Sequence, residues 1–270
     1  MNPRDRRRKR ATDELIDHLA IEEMRAAHQH IDLAPVAIVI ASYKERDNIG
    51  AVLSSLPKRI CDLDANALVI VDGEDDGTAA IVRAAGHYAA VCPVNRGQGA
   101  ALRLGYRIAR DFGARYIVTA DADGQADPDD FEVVLEPVVE GSADFVNGSR
   151  RLGKTLSHGI VRNVGVLLFS TAVSLLTRTK VTDTANPVRA FPAMLSERFV
   201  LEEPQYQASE LLISAIMGGA RYAERPVTMR ARTSGRSKKG GDFAYGLSYG
   251  RVFFSTWWRE LRRQQAAQAE

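Results

Sequence analysis

Two carboxylates stand two residues apart at the end of an apolar run, because Asp121 and Asp123 follow the segment 116–120. Ligands bind at the carboxyl ends of strands in an open α/β sheet, so both acids would face one crevice if this run is a buried strand. A small number of hard oxygen ligands suits Mg²⁺ or Mn²⁺, which completes its shell with water and substrate phosphates. The spacing therefore indicates a metal–diphosphate site of the kind that holds a nucleotide-activated substrate.

The alternative is an acidic turn that caps the next helix. Residues 127–130 read Asp-Pro-Asp-Asp, which fits an N-cap, a proline at the first helical position and acids in the first turn. This interpretation accounts for residues 127–130 but leaves Asp121 and Asp123 unexplained. Because a bare pair of acids at this spacing is common by chance, both interpretations stay open at this point.

The elements that must position these acids alternate between strands and helices. Apolar runs typical of buried strands cover residues 36–41, 67–71, 88–91 and 116–120, and helical patterns cover residues 48–56, 78–85 and 100–112. The second half predicts strands at 143–147 and 221–229 and helices at 160–177, 209–217 and 243–261. The alternation predicts an α/β fold, a doubly wound, mostly parallel sheet flanked by helices, with peripheral amphipathic helices.

Polar loops follow the first two strands as well, so three loops converge on one edge of the predicted sheet. The first loop contains Ser42, Tyr43 and Glu45, and the second begins at Asp72. An acid at a strand end can hydrogen-bond a base or a ribose hydroxyl. We therefore take Asp72 as the first candidate for reading a nucleotide base and Glu45 as the second. A helix cap or a solvated turn is the alternative for each loop alone.

A glycine-bearing loop at residues 95–99 precedes the third helix. Gly97 would let the backbone approach a ligand, and Gln98 lies where the helix begins, which favours an anion. The Lys-Ser/Thr pair of a Walker loop is missing, and no dinucleotide fingerprint follows the first strand. These absences argue against a P-loop enzyme and against a nicotinamide-dependent dehydrogenase.

The second half supplies cations suited to phosphate. Arg150, Arg162 and Arg189 are candidates for bidentate phosphate contacts. Arg232 and Lys238 belong to a polar segment rich in Gly, Lys and Arg, residues 230–242, of which Thr233–Gly241 would close over a diphosphate. The alternative for that segment is an exposed basic loop.

Composition narrows the function classes. The formal net charge of +2 over 270 residues gives no reason to expect a nucleic-acid partner. Two cysteines without metal spacing favour a reduced, cytoplasmic location, and the first residues lack the apolar region of a signal peptide. A basic block at residues 3–10 and apolar faces on helices 160–177 and 243–261 favour peripheral contact with the inner face of a membrane. Core or dimer helices are the alternative.

Seven motifs occur in an order that is specific in combination. They are Val39–Ile49, Val71–Thr78, Asn95–Gly99, Asp121–Gln125, Gly148–Arg150, Asp183–Phe191 and Arg232–Lys238. In this order the chain resembles the family 2 glycosyltransferases of GT-A fold, and most of all the dolichyl- and polyprenyl-phosphate sugar synthases. It departs from their pattern at Lys44, at the Asp72 loop, which is one residue short, and at Pro187-Val188.

The resemblance implies an inverting transfer of a sugar from a GDP- or UDP-sugar to a polyprenyl phosphate. Asp121, Asp123 and Gln125 would hold Mg²⁺ or Mn²⁺, with Arg232 and Lys238 adding charge at the leaving diphosphate. The three arginines at positions 150, 162 and 189 would grip the acceptor phosphate. A soluble enzyme that glycosylates a hydroxyl of a small metabolite is the alternative. That reaction needs a general base, for which Asp183 and Glu210 are candidates by position.

The predicted organisation has three parts. A basic N-terminal extension and helix covers residues 1–33, the GT-A domain covers 34–241, and an amphipathic C-terminal helix covers 242–270. A nucleotidyltransferase and a non-catalytic nucleotide-sugar binder are further alternatives. The first would show a basic Gly-rich loop after the first strand, which is absent, and the intact pair of acids argues against the second.

Overall fold

The structure is a computed structural model that describes residues 3–153, 160–203, 207–230 and 242–269. Within these ranges, side chains are described for residues 11–153, 167–203, 207–230 and 250–266. The helices are α1 Pro3–Ala27, α2 Arg46–Ser55, α3 Thr78–Ala84, α4 Gln98–Asp111, α5 Asp130–Val139, α6 Ile160–Thr177, α7 Gln207–Met217 and α8 Asp242–Ala269. The strands are β1 Val36–Ser42, β2 Arg59–Ile60, β3 Leu63–Asp72, β4 Tyr88–Cys92, β5 Tyr116–Asp121, β6 Phe145–Ser149, β7 Arg189–Pro192 and β8 Tyr222–Pro226.

One mixed sheet runs through the protein in the order β4-β3-β1-β5-β7-β6-β8, and β2 forms an antiparallel pair with β3. The four strands β4, β3, β1 and β5 are parallel to one another. β7 is antiparallel to both of its neighbours, and β6 and β8 are parallel to each other. The predicted α/β fold with a mostly parallel sheet is therefore confirmed.

Each face of the sheet is covered by its own apolar core. On one face α1, α4, α7 and α8 pack against alternate residues of the central strands, such as Val39 and Ile70. On the other face α2, α3 and α5 pack against the intervening residues, such as Ile38 and Val69. Because both faces are buried, the central strands are continuous apolar runs, which is why they were predictable.

α4 lies unusually close to the sheet. A Cβ atom added to Gly105 would come within 2.5 Å of Cγ1 of Val39. The glycine therefore permits the approach that fixes α4, and with it the residues at the start of this helix, over β1 and β3.

α1 begins at Pro3, so the backbone of the basic block at residues 3–10 is helical. One predicted boundary, the start of α5, was wrong. α5 begins at Asp130 with Asp129 at its N-cap, not Asp127. Asp127 instead accepts a hydrogen bond from the amide of Asp129 at 3.2 Å and pairs with Arg230 at 2.7 Å.

Neither α6 nor any other helix in the described part of the chain has the length and apolar character that spanning a bilayer requires.

Candidate active site

The three predicted loops meet at one edge of the sheet. Ser42 at the end of β1 pairs in register with Val71 of β3, and Ala41 pairs with Asp121 of β5. Asp72 and Asp121 therefore flank the end of the central strand β1 on its two sides. The prediction that these loops converge is confirmed, and the reason is the parallel register of the three strands.

Asp121 is the last residue of β5, and Asp123 lies in the turn that follows it. Oδ1 of Asp121 accepts a hydrogen bond from Nε2 of Gln98 at 2.9 Å. Asp123 is buried, and its Oδ1 accepts the backbone amide of Gln125 at 3.1 Å. Two hydrogen bonds join Gln125 to Arg230. The backbone carbonyl of Gln125 accepts the Arg230 amide at 2.8 Å, and the Gln125 side chain donates to the Arg230 carbonyl at 3.4 Å.

The donor set fits a divalent ion that is shared with a substrate. Asp121 and Asp123 offer hard carboxylate oxygens, the class of ligand that Mg²⁺ and Mn²⁺ prefer. Within the described ranges, no three His, Cys, Asp or Glu side chains cluster closely enough to hold a metal alone. Mg²⁺ held by one or two carboxylates usually completes its shell with water and substrate phosphates.

Asp72 is buried and holds the loop that precedes α4. Its carboxylate accepts the backbone amides of Arg96 at 3.0 Å and Gly97 at 2.7 Å, and its carbonyl accepts Nδ2 of Asn95 at 3.0 Å. Burial raises the pKa of Asp72, while the two amide hydrogen bonds act in the opposite direction. Asp72 thus shapes the predicted nucleotide loop directly, and its contact with a base stays a prediction.

The loop after β1 offers a polar atom without a partner. Oγ of Ser42 is buried and has no hydrogen-bond partner among the described residues. Tyr43 is exposed, with Nζ of Lys44 at 5.4 Å from its ring centre. Glu45 accepts Nδ2 of Asn48 at 2.7 Å at the start of α2. Buried polar groups normally have hydrogen-bond partners. The Ser42 hydroxyl therefore marks a place where a bound ligand would supply the missing hydrogen bond.

The start of α4 is also confined from the far side. Gly97 has a φ of 90°, and a Cβ atom added to Gly99 would come within 2.0 Å of the carbonyl oxygen of Glu203. The two glycines are therefore required by the turn and by the close passage of residues 201–203. Sequence reasoning did not find Glu203, because its contribution is a backbone atom.

Arg150 and Asp183 form a buried ion pair. Asp183 is fully buried, and Nε and Nη2 of Arg150 bind its two carboxylate oxygens at 2.6 and 2.7 Å. The Arg150 backbone amide adds a third hydrogen bond at 3.1 Å. Burial alone would raise the pKa of Asp183, but the hydrogen bonds and charge of Arg150 outweigh it and hold that pKa below its ordinary value.

This geometry does not fit two predictions. A general base needs access to the acceptor and a pKa near the working pH, and Asp183 has neither. Arg150 was predicted to grip an acceptor phosphate, but its guanidinium is committed to Asp183. The pair instead has a structural role: it joins the end of β6 to the segment before β7.

Arg189 lies inside the sheet region rather than at the crevice surface. It is 1% exposed, and its Nε donates to Oδ1 of Asn147 at 3.0 Å. Nη2 lies 3.5 Å from the carbonyl of Thr184. The predicted role for Arg189 at an acceptor phosphate does not fit this position, because the position of β7 buries the side chain.

Glu210 is likewise engaged. It is fully buried and accepts the amides of Glu202 at 2.9 Å and Glu203 at 3.1 Å, and Nη1 of Arg259 at 2.9 Å. Burial raises the pKa of Glu210 against the opposing effect of these amides and of Arg259. The carboxylate therefore fastens residues 202–203 to α8 and does not fit the general base that its position predicted.

Three predicted residues cannot be placed. Arg232 and Lys238 lie outside the described residues. Arg162 belongs to α6, but its side chain lies outside the described part. Their roles at the phosphates stay predictions.

Comparison with known proteins identifies the family of this chain. The model of the family "Glycosyl transferase family 2" matches residues 37–203. An uncharacterised protein of Methanocaldococcus jannaschii is 30% identical over 71% of this chain and 80% of its own length. The UDP-N-acetylglucosamine–dolichyl-phosphate N-acetylglucosaminyltransferase of Methanococcus voltae is 30% identical over 71% of this chain and 84% of its own.

Solved structures share the fold. Glucosyl-3-phosphoglycerate synthase of Mycobacterium tuberculosis, in complex with Mn²⁺, UDP and glucosyl-3-phosphoglycerate, superposes with a TM-score of 0.65 at 17% identity. The match covers 87% of this chain and 83% of that one. The sheet with its flanking helices is the GT-A fold. Because the family match covers residues 37–203, which include the two acids at the end of β5 and the glycine loop, the chain belongs to glycosyl transferase family 2.

Proposed function

We propose that this glycosyltransferase moves a sugar, with inversion, from a GDP- or UDP-sugar to a polyprenyl phosphate at a membrane surface. The observation that carries the donor part is the Asp121 and Asp123 pair beside the Ser42 and Gly97 loops. Relatives support the acceptor part, since one is named for dolichyl phosphate and a second, from Micrococcus luteus, is an undecaprenyl-phosphate mannosyltransferase that is 28% identical to this chain.

Asp121 and Asp123 would hold the metal, with Gln125 as a further predicted ligand. When bound, Mg²⁺ or Mn²⁺ supplies Lewis-acid stabilisation of the leaving diphosphate. Gln98 orients Asp121 through its 2.9 Å hydrogen bond. Arg232 and Lys238 would add positive charge beside the same phosphates.

The two engaged acids favour a phosphate acceptor over a hydroxyl. A hydroxyl nucleophile needs a general base, whereas a phosphate monoester is already ionised near neutral pH. Both acids that were candidates for this base, Asp183 and Glu210, are buried and already accept several hydrogen bonds. An acceptor that brings its own negative charge avoids the need for either.

Exposed apolar side chains on α6 and α8 support a lipid surface. Leu168 and Leu175 are 66% and 74% exposed, and Phe254 and Trp258 are 58% and 51% exposed. The guanidinium of Arg262 lies 5.1 Å from the Trp258 ring centre. Aromatic and aliphatic side chains beside arginines are typical of helices that lie in a membrane interface. We propose peripheral contact through this face, from the cytoplasmic side.

Replacing Phe254 and Trp258 together with serine is expected to weaken binding to anionic vesicles by at least about tenfold, because each ring loses contact area worth about 1.5–3 kcal/mol. Sedimentation with phosphatidylglycerol-containing vesicles measures the effect. Met194→Ser is the matched control, since Met194 is 62% exposed but lies outside α1, α6 and α8. Equal binding by the double variant and the wild-type protein would contradict the membrane proposal.

A thermal-shift panel tests the donor part. A ligand that binds only the folded state raises its stability according to RT ln(1 + [L]/Kd). We expect one GDP- or UDP-sugar to raise the Tm in the presence of Mn²⁺ and to lose most of that effect with excess chelator. No shift with any nucleotide-sugar would contradict the proposal.

A further inference from the structure

The N-terminal helix lies outside the segment matched by the family model, yet it reaches the loop that precedes α4. Nη2 of Arg96 pairs with Oδ1 of Asp17 at 2.7 Å. Nη1 of Arg96 donates to the carbonyl of Asp13 at 3.0 Å and lies 3.4 Å from its carboxylate. Only 7% of the Arg96 side chain is exposed, so this contact between α1 and the loop is buried.

α1 is held firmly enough to act as an anchor. Ile16, Ala20 and Met24 are buried against the core at successive helical turns. Asp13 and Asp17 stand four residues apart, so they share one face of the helix. The Asp17 side chain is only 9% exposed, so water stabilises its charge little. The opposite charges of Asp17 and Arg96 therefore compensate each other.

The same loop touches the candidate site on its other side. The amides of Arg96 and Gly97 bind Asp72, and the next residue, Gln98, donates to Asp121 at 2.9 Å. The ion pair of Asp17 with Arg96, the backbone of residues 96–98 and the hydrogen bond from Gln98 therefore connect α1 with Asp121 at the predicted metal site. The connection passes through three consecutive residues, 96–98.

We propose that Asp13, Asp17 and Arg96 form a clasp through which α1 sets the geometry of the donor site, with Asp17 as the positioning residue. The clasp fixes the backbone at Gly97 and Gln98, and so the orientation of Asp121. Loss of the Asp17 charge leaves Arg96 buried with weaker compensation, so the loop rearranges towards solvent. This inference rests on the proposed function, because it places the donor diphosphate at this edge.

The chain offers a matched control on the same helix. Glu23 of α1 binds Nη2 of Arg83 and accepts the amide of Val91 at 3.3 Å. This pair also fastens α1 to the sheet, but it does not touch residues 95–99. Asp17→Asn and Glu23→Gln therefore remove similar charges from one helix, and only the first breaks the clasp.

Hydrogen exchange of the ligand-free protein tests the connection itself. Asp17→Asn is expected to reduce protection of the amides in residues 95–99 by at least about tenfold, whereas Glu23→Gln leaves it within about twofold. If the yield of folded Asp17→Asn is low, Asp13→Asn replaces it in the same measurement, and we expect a smaller loss of amide protection. The inference would be overturned if Asp17→Asn and Glu23→Gln reduced amide protection in residues 95–99 equally, or if neither reduced it.

Steady-state kinetics test the consequence. Asp17→Asn is expected to raise KM for the donor, and the Mn²⁺ concentration for half-activation, by roughly tenfold with a smaller change in kcat, while Glu23→Gln changes none of them at a similar Tm. Unchanged donor KM in Asp17→Asn would overturn the inference alone. A wild-type protein that binds no nucleotide-sugar would overturn the proposed function, and the positioning role would fall with it.

Discussion

An Asp123→Ala variant is expected to transfer sugar at least about a thousandfold more slowly than the wild-type protein while remaining folded. Removing this carboxylate leaves Asp121 as the one remaining acid of the predicted metal site. A leaving diphosphate then departs without most of the positive charge that stabilises it. The defect should appear in kcat as well as in the divalent-dependent part of donor binding.

Two further variants separate the loss of the Asp123 charge from the loss of its contact in the turn. Asp123 also accepts the Gln125 amide at 3.1 Å, so alanine removes a turn contact as well as a charge. Asp123→Asn keeps an acceptor for that amide and should be nearly as inactive. Asp127→Asn removes an acid of the same loop that pairs with Arg230, and it should retain most of the activity. Full activity of Asp123→Ala, or activity that excess chelator does not reduce, would refute the metal assignment.

An Asp183→Ala variant is expected to lower the free energy of unfolding by about 3–5 kcal/mol, because it removes the carboxylate that binds the buried Arg150 guanidinium through two hydrogen bonds. Urea denaturation measures the loss. Asp144→Ala is the matched control, because Asp144 pairs with Arg221 in the same two-pronged geometry, at 2.9 and 2.6 Å, on the surface. The control should lose far less stability, since solvent screens an exposed pair.

The same pair gives a pH dependence with a definite sign. The pKa of Asp183 is lower in the folded protein than its ordinary value. Its contribution is therefore fully present above about pH 4, the ordinary range of a carboxyl group, and is lost as the pH falls through the folded pKa. The difference in stability between the wild-type protein and Asp183→Ala should shrink below about pH 4. A variant with normal stability and a large kcat defect would restore Asp183 as a catalytic base.

Much of the sheet was predictable because its central strands are buried on both faces. β1, β3, β4 and β5 are apolar runs, and their parallel order follows from the helices between them. β7 was missed because it has four residues and begins with Arg189, a residue type that normally lies at the surface. The apolar run at residues 116–120 predicted β5, whereas the metal role of Asp121 and Asp123 was favoured only by the order of motifs along the whole chain.

Pairings between distant residues were not predictable in the same way. Arg150 and Asp183 are separated by 33 positions, and Asp17 and Arg96 by 79. Residue type alone assigned the arginines to a phosphate, because nothing in a periodic pattern reports which acid a buried arginine meets. Only the packing of β6 against β7, and of α1 beside β4, brings these charges together.

Sugar transfer to a defined acceptor tests the central claim most directly. The wild-type protein is incubated with the donor that gives the largest thermal shift, Mn²⁺, and either a short polyprenyl phosphate in vesicles or a panel of soluble alcohols. The account predicts that a polyprenyl-phosphate sugar forms only when the metal is present, and that its anomeric configuration is opposite to that of the donor. Transfer to a soluble hydroxyl alone, with none to the polyprenyl phosphate, would contradict it.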